Sequence, residues 1–176
     1  MKNILLGVTG SIAAFKAADL ANQITKIGYN VEVIMTGSAM KFVAPLTFQA
    51  LTKNKVYTDM FDEFTPDEIK HISLAKKADV CIIAPATANI IGKIANGIAD
   101  DFLSTVVMAL KDKPVFIAPA MNTNMYENPI VQENIEKLKR FGYIIIEPKE
   151  SLLACGDLGK GAMADVSEIM DKIFNG

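Results

Sequence analysis

The sequence predicts an α/β protein: a doubly wound parallel sheet with helices on both faces. Short β-rich apolar runs alternate with helix-length segments along the whole chain, which is the pattern of a parallel sheet covered on both sides. The intervening stretches are long enough for crossover helices. Glycine stands just past several of them, where it supplies the left-handed conformation that ends a helix.

The first run, Asn3–Val8, delivers Gly7-Val-Thr-Gly-Ser11 to the start of a helix over Ile12–Ile27, closed by Gly28. The second, Val31–Met35, ends in Thr36-Gly-Ser38. Lys41–Thr52 reads as short helices, and Glu63-Phe-Thr-Pro-Asp67 as a polar loop. The third strand, Val80–Ala84, exits through Pro85-Ala-Thr-Ala-Asn89 into a helix over Thr87–Asn96 closed by Gly97, followed by a helix over Asp100–Leu110. The fourth, Val115–Ala118, exits through Pro119-Ala120-Met121-Asn122 and leads to a helix over Pro129–Phe141 closed by Gly142. Tyr143–Ile146 is the last strand and Val166–Phe174 the last helix. The arrangement is Rossmann-like, and 176 residues at 51% hydrophobic content bury one substantial core, so residues 1–176 are expected to form a single domain.

Apolar stretches are strand-sized and interrupted by charge, and no basic-plus-apolar leader precedes Lys2, so a soluble, cytoplasmic protein with no membrane partner is expected. A net charge of −2 with scattered acids and bases offers no clustered basic face, so nucleic acid is not an expected partner. Two cysteines, Cys81 and Cys155, and one histidine form no metal-ligand pattern.

Candidate site residues gather where strands become helices. Asn122 follows a packed strand and Pro-Ala, placing an amide at the sheet edge where parallel α/β folds collect ligands. Gly10-Ser11 enters a helix whose first N–H groups are unpaired and attract anions, although plain capping accounts for Ser11 almost as well. Thr36, Ser38, Thr87 and Asn89 repeat the pattern at two more exits, with small donors rather than lysine or arginine. Together these exits suit a phosphorylated cofactor approached by backbone better than three coincidental caps. Met35 and Thr36 stand where an NAD ribose clamp needs Asp or Glu, which favours a mononucleotide such as FMN. His71 carries an imidazole, a group able to exchange protons, but a lone histidine is more often structural. Cys81, inside an apolar strand, reads as packing. Cys155 sits among the glycines of Leu153–Met163, a stretch unsuited to a helix or central strand, and is expected on a mobile loop.

Gly10-Ser11-Ile12, Thr36-x-Ser38, His71-Ile72-x-Leu74, Pro85-Ala-Thr-Ala-Asn89, Asn96-Gly-Ile-Ala-Asp-Asp101, Pro119-Ala-Met-Asn122, Ala154-Cys-Gly-Asp157 and Gly161-Ala-Met163 follow one another in order. In this the chain resembles the homo-oligomeric flavin-containing cysteine decarboxylases from its first strand to its last helix. The resemblance implies FMN held by Gly10, Ser11, Ile12, Thr36, Ser38, Thr87, Ala88, Asn89 and backbone around Ala120. It implies an active-site His71, and Asn122 binding the substrate's cysteine carboxylate with Met125 beside it. Cys155 falls on a substrate-recognition clamp of about Pro148 to Met163, which brings Ala154 and Met163 to the substrate.

The implied reaction converts 4′-phosphopantothenoylcysteine to 4′-phosphopantetheine in coenzyme A biosynthesis. Flavin oxidation gives a thioaldehyde that serves as electron sink, CO2 leaves, and the enethiol is re-reduced with Cys155 as proton donor. The alternatives are a peptidyl-cysteine decarboxylase of lantibiotic biosynthesis, a flavin prenyltransferase, and a non-catalytic flavoprotein regulator of a phosphatase. The clamp cysteine argues against the first two, and the lack of long charged extensions against the third. The resemblance further implies a homotrimer or a dodecamer of four trimers with shared sites. Asp101–Met108 reads equally as part of such an interface or as a core helix. Many bacterial relatives carry a fused synthetase, so a separate phosphopantothenoylcysteine synthetase is expected upstream. No role is carried over to Lys76.

Overall fold

The computed structural model describes residues 2–61, 69–152 and 158–176. Six strands, β1 (Asn3–Val8), β2 (Asn30–Met35), β3 (Val56–Tyr57), β4 (Val80–Ala86), β5 (Val115–Pro119) and β6 (Ile144–Ile145), form one sheet. Its order is β3-β2-β1-β4-β5-β6 and every pairing is parallel. The chain therefore winds outward from β1 in one direction and from β4 in the other, leaving a crevice beyond their carboxyl ends.

Alternate side chains of each strand point to opposite faces. Ile4, Leu6, Val8, Val33, Met35, Ile82 and Ala84 meet α1 (Ala14–Lys26), α2 (Pro45–Thr52) and α8 (Val166–Phe174) on one side. Leu5, Ile34, Cys81, Ile83 and Ile117 meet α3 (Lys70–Lys77), α4 (Ala88–Ala95), α5 (Phe102–Ala109) and α7 (Pro129–Arg140) on the other. Every residue of β4 is buried, which is why the strands read as unbroken apolar runs rather than alternating ones. Leu20 and Ile24 of α1 are fully buried, each contributing about 1.5–3 kcal/mol of transfer free energy. Cys81 is packing, as expected, and burial pushes its thiol pKa up to about 12.

The predicted stops are real. Gly28, Gly97 and Gly142 all have positive φ, at 91°, 68° and 86°. Capping shifts two helix starts, α4 beginning after Thr87 and α5 after Asp101, and marks the expected start of α7 at Pro129 after Asn128; each of the three side chains accepts a backbone N–H of the first turn. The first helix begins at Ala14 rather than Ile12, because Gly10–Ala13 forms a turn in which Ala14 N bonds Ser11 O at 2.9 Å. In the irregular region a 3-10 turn (Ala39–Lys41) precedes α2, which starts at Pro45, a residue suited to the first helical position. The polar loop expected at Glu63–Asp67 lies outside the described residues. α5 takes the core-helix reading of its segment, with Phe102, Leu103, Val106 and Val107 buried and Met108 exposed.

Elements absent from the sequence reading are β3, α3, the four-residue helix α6 (Thr123–Tyr126), and an antiparallel pair, β7 (Lys149–Leu152) with β8 (Leu158–Ala162). The glycine-rich stretch expected as a loop thus supplies a strand, outside the main sheet. No described helix is long and apolar enough to cross a membrane.

Candidate functional site

Thr9, one residue past β1, bridges the crevice. Its hydroxyl donates to Pro85 O at 2.6 Å and accepts from Thr87 N at 3.1 Å, tying the exit of β1 to that of β4. With 2% exposure it spends its hydrogen bonds inside the protein.

Around this bridge opens a cavity of about 750 Å³ whose wall includes Gly10, Ser11, Thr36, Ser38, Thr87, Ala88, Asn89, Ala120 and Met125. Three of its hydroxyls share a geometry. Ser11 Oγ accepts from Ala13 N (3.2 Å), Thr36 Oγ1 from Ala39 N (3.3 Å) and Thr87 Oγ1 from Ile90 N (3.5 Å). A hydroxyl that accepts in this way keeps its O–H to donate, so capping and ligand binding coexist in the same residues. Gly10 is held tight: a Cβ there would collide with the Ser38 side chain, so the first two exits close on each other only because one lacks a side chain. The donor set and dimensions fit a phosphorylated mononucleotide.

The expectation of small donors without lysine is corrected by Lys41 and Lys93, which also line this cavity. Lys93 is already engaged, with Asp100 and Asp101 each 2.7 Å from its ammonium. Burial works against its charge, but those two bonds more than offset it and raise its pKa. Burial likewise pushes the Asp101 carboxyl up, and bonds from Lys93 and Ser104 override this to hold it below the ordinary value.

A second cavity, about 540 Å³, shares Ser11, Ala120 and Met121 with the first and continues past Ile12, Phe15, Asn122 and Met163 to Lys16 and Lys149. Asn122 caps α6, its Oδ1 accepting from Asn124 N at 2.8 Å. Strand β8 braces this corner at van der Waals distance. Met121 N donates to Gly161 O at 2.9 Å, and a Cβ on Gly161 (φ 154°) would strike the Met121 carbonyl. A Cβ on Gly159 would lie 2.5 Å from Thr123 Oγ1, a buried oxygen with no partner among the described residues. Farther out, Glu147 ties the pair to the body, accepting from Tyr126 OH and Lys160 Nζ at 3.0 Å each and facing Lys139 at 3.4 Å. Desolvation favours a protonated Glu147, but those donors and the Lys160 and Lys139 charges win and lower its pKa. Burial first, then the Glu147 contact, pushes the Tyr126 phenol up to about 12.

Of the residues singled out from sequence, Gly10, Ser11, Thr36, Ser38, Thr87, Ala88, Asn89, Ala120 and Met125 gather on the larger cavity, and Ile12, Asn122 and Met163 on the smaller. Ile12 thus faces the second cavity rather than joining the remaining cofactor candidates. His71, in the first turn of α3, lines neither. Ala154 and Cys155 lie outside the described residues. Thr9, Lys16, Lys41, Lys93 and Lys149 were not singled out. Thr9 alone carried a signal, a polar side chain at the exit of an all-apolar strand.

The Flavoprotein family pattern matches residues 1–175. A "probable phosphopantothenoylcysteine decarboxylase" of Streptococcus mutans is 56% identical over 98% of this chain and 97% of that protein. The coenzyme A biosynthesis bifunctional protein CoaBC of Bacillus subtilis is 53% identical over 96% of this chain, which spans 41% of that longer protein. Among solved structures, a cysteine-to-serine mutant of PPC decarboxylase complexed with pantothenoylaminoethenethiol has a TM-score of 0.89 at 35% identity, covering 98% of this chain and 96% of that one. SpaF, an FMN-dependent cysteine decarboxylase, gives 0.86 at 33% identity over 98% and 94%. With this agreement in sequence and fold along its whole described length, the chain belongs to the Flavoprotein family.

Proposed function

We propose that this chain, as a single domain, decarboxylates 4′-phosphopantothenoylcysteine to 4′-phosphopantetheine with FMN as its resident cofactor. The observation that carries the reading is the pair of cavities meeting at Ser11, Ala120 and Met121: a hydroxyl-rich one for a mononucleotide, and a largely apolar one with Asn122 for an acyl-cysteine. The names of the similar proteins support the same substrate and cofactor.

FMN, when bound, supplies the two-electron oxidation and reduction that give the departing carboxylate's electrons somewhere to go. The chain's part is to bind, orient and move protons. Ser11, Thr36, Ser38 and Thr87 would hold the cofactor through their O–H groups, with Gly10 permitting close backbone approach. Asn122, whose Oδ1 accepts from Asn124 N–H, binds the substrate carboxylate. Met125 and Met163 flank the acyl-cysteine, and Ala154 belongs with the substrate-recognition clamp. Cys155 returns the last proton, a role supported by the similar protein whose cysteine is replaced and which holds an aminoethenethiol.

His71 assists thiol oxidation from a neighbouring copy, since within one copy it stands off both cavities. Such sharing requires a homo-oligomer, which we read as the homotrimer, alone or as four trimers in a dodecamer. Exposed Ile12, Phe15 and Met125 beside the cavities support burial against a second copy. The reading places the reaction in the cytoplasm, downstream of a phosphopantothenoylcysteine synthetase.

The test is incubation of the purified yellow protein with 4′-phosphopantothenoylcysteine, following CO2 and product mass. Saturated 4′-phosphopantetheine supports the reading. A product two hydrogens short moves the chain to the peptide-modifying enzymes, and a yellow protein without turnover moves it to a binding role.

A further inference from the structure

We propose that Lys16 and Lys149 form the subsite for the substrate's terminal phosphate, an assignment that rests on the function proposed above. Among the described residues lining the smaller cavity, these two are the only charged ones. They come from distant parts of the chain, α1 and β7, and meet at Asp165. Lys149 Nζ lies 2.6 and 2.7 Å from the two carboxylate oxygens, and Lys16 Nζ lies 3.2 Å from one of them. Asp165 stands at the entry to α8, where its own N–H is held by Glu168 Oε2 at 3.0 Å. It is not among the residues of the cavity wall. One carboxylate therefore holds two ammonium groups side by side and leaves a net positive pair facing the cavity.

Each ammonium carries three donors. Lys149 directs bonds to both Asp165 oxygens, and Lys16 to Asp165 and, at 3.5 Å, to Met163 O. One donor on each remains to point elsewhere. The side chains are 36% and 25% exposed, so a phosphate replaces water at them without unfolding anything. The cavity's lining offers a counterpart to each part of the substrate: an amide at Asn122 for the carboxylate, Ile12, Phe15, Ala162 and Met163 for the branched acyl arm, and two cations for a dianion. A cysteinyl peptide presents no such dianion, so this pair is a specificity device for the phosphorylated small molecule.

The experiment is calorimetric binding of 4′-phosphopantetheine and of unphosphorylated pantetheine to the flavin-loaded protein, in wild type, Lys16→Gln, Lys149→Gln and the double variant, with Lys149→Arg as charge-retaining control. Two charge-assisted contacts at a partly exposed site give the wild type about a hundredfold preference for the phosphorylated probe, roughly tenfold from each lysine. Each Gln variant loses about tenfold of that preference, the double variant loses it entirely, and Lys149→Arg keeps most of it. Pantetheine affinity and the flavin spectrum stay constant throughout. A wild type without preference, a double variant that retains it, or variants that lose affinity for both probes equally would overturn the assignment. Decarboxylation is scored separately on the same samples: no CO2 release with a lysine-dependent phosphate preference refutes the enzyme reading and leaves the subsite standing.

Discussion

Replacing Thr9 with valine removes both hydrogen bonds across the crevice while nearly conserving shape. Pro85 O, in a buried bond of 2.6 Å, loses its donor at a cost of about 1–3 kcal/mol for an unsatisfied buried acceptor. Thr87 N, only part-buried in its 3.1 Å bond, regains some hydration and costs about 1 kcal/mol. The sum is about 2–4 kcal/mol, or a fall in Tm of roughly 5–15 °C for a chain of this size. Melting is followed at fixed protomer concentration, because association shifts Tm by mass action. The serine variant restores both bonds and loses one methyl, about 1 kcal/mol. Flavin retention adds a second readout: the valine variant releases its cofactor more readily, since Thr87 and Ser11 are set by the two exits that Thr9 joins. A valine variant within about 0.5 kcal/mol of wild type, or serine and valine variants equally unstable, would refute the bridging role.

At Gly161, alanine would drive a Cβ into the Met121 carbonyl at a φ of 154°; we expect a loss of about 2 kcal/mol or more in urea unfolding and a raised KM, and an unchanged KM would show that the brace does not shape the substrate cavity. Glu147 has a depressed folded pKa, so its contribution is fully present above the unfolded value of 4.5 and lost as pH falls through the folded one. The stability gap between wild type and Glu147→Gln should therefore be constant near neutrality and close in acid, whereas a gap that persists there would mean that packing, not charge, is what the glutamate supplies. Cys155→Ser should accumulate an enethiol product two hydrogens lighter by mass spectrometry; full turnover would remove the cysteine from the final protonation.

The cofactor-side wall is legible in sequence because a strand exit is a local event: an apolar run stops, and the next few residues must cap a helix. Thr36, Ser38, Thr87 and Asn89 announce themselves that way. Lys16 and Lys149 do not, because their relation exists only once α1, β7 and the start of α8 converge on Asp165. Gly159 and Gly161 mislead for a related reason. Glycine in a short window reads as a broken element, yet here its missing side chain lets β8 lie against Met121 and Thr123, and no local pattern records what a residue approaches from afar. β3, two residues long, carries too little alternation to register, and α6 is a single turn made by the cap of Asn122. His71 shows the limit from the other side: its chemistry is plain in the sequence, whereas the structure places it away from both cavities.

The wall common to the two cavities, Ser11, Ala120 and Met121, has a thermodynamic corollary. Ligands seated on either side of three shared residues are neighbours, so the first to arrive becomes part of the floor on which the second lands. Binding is then cooperative and, by linkage, reciprocal: whatever affinity the flavin lends the acyl-cysteine, the acyl-cysteine returns to the flavin. A protein stripped of its cofactor would be a poor receptor for the substrate analogue, and saturating analogue would slow cofactor escape.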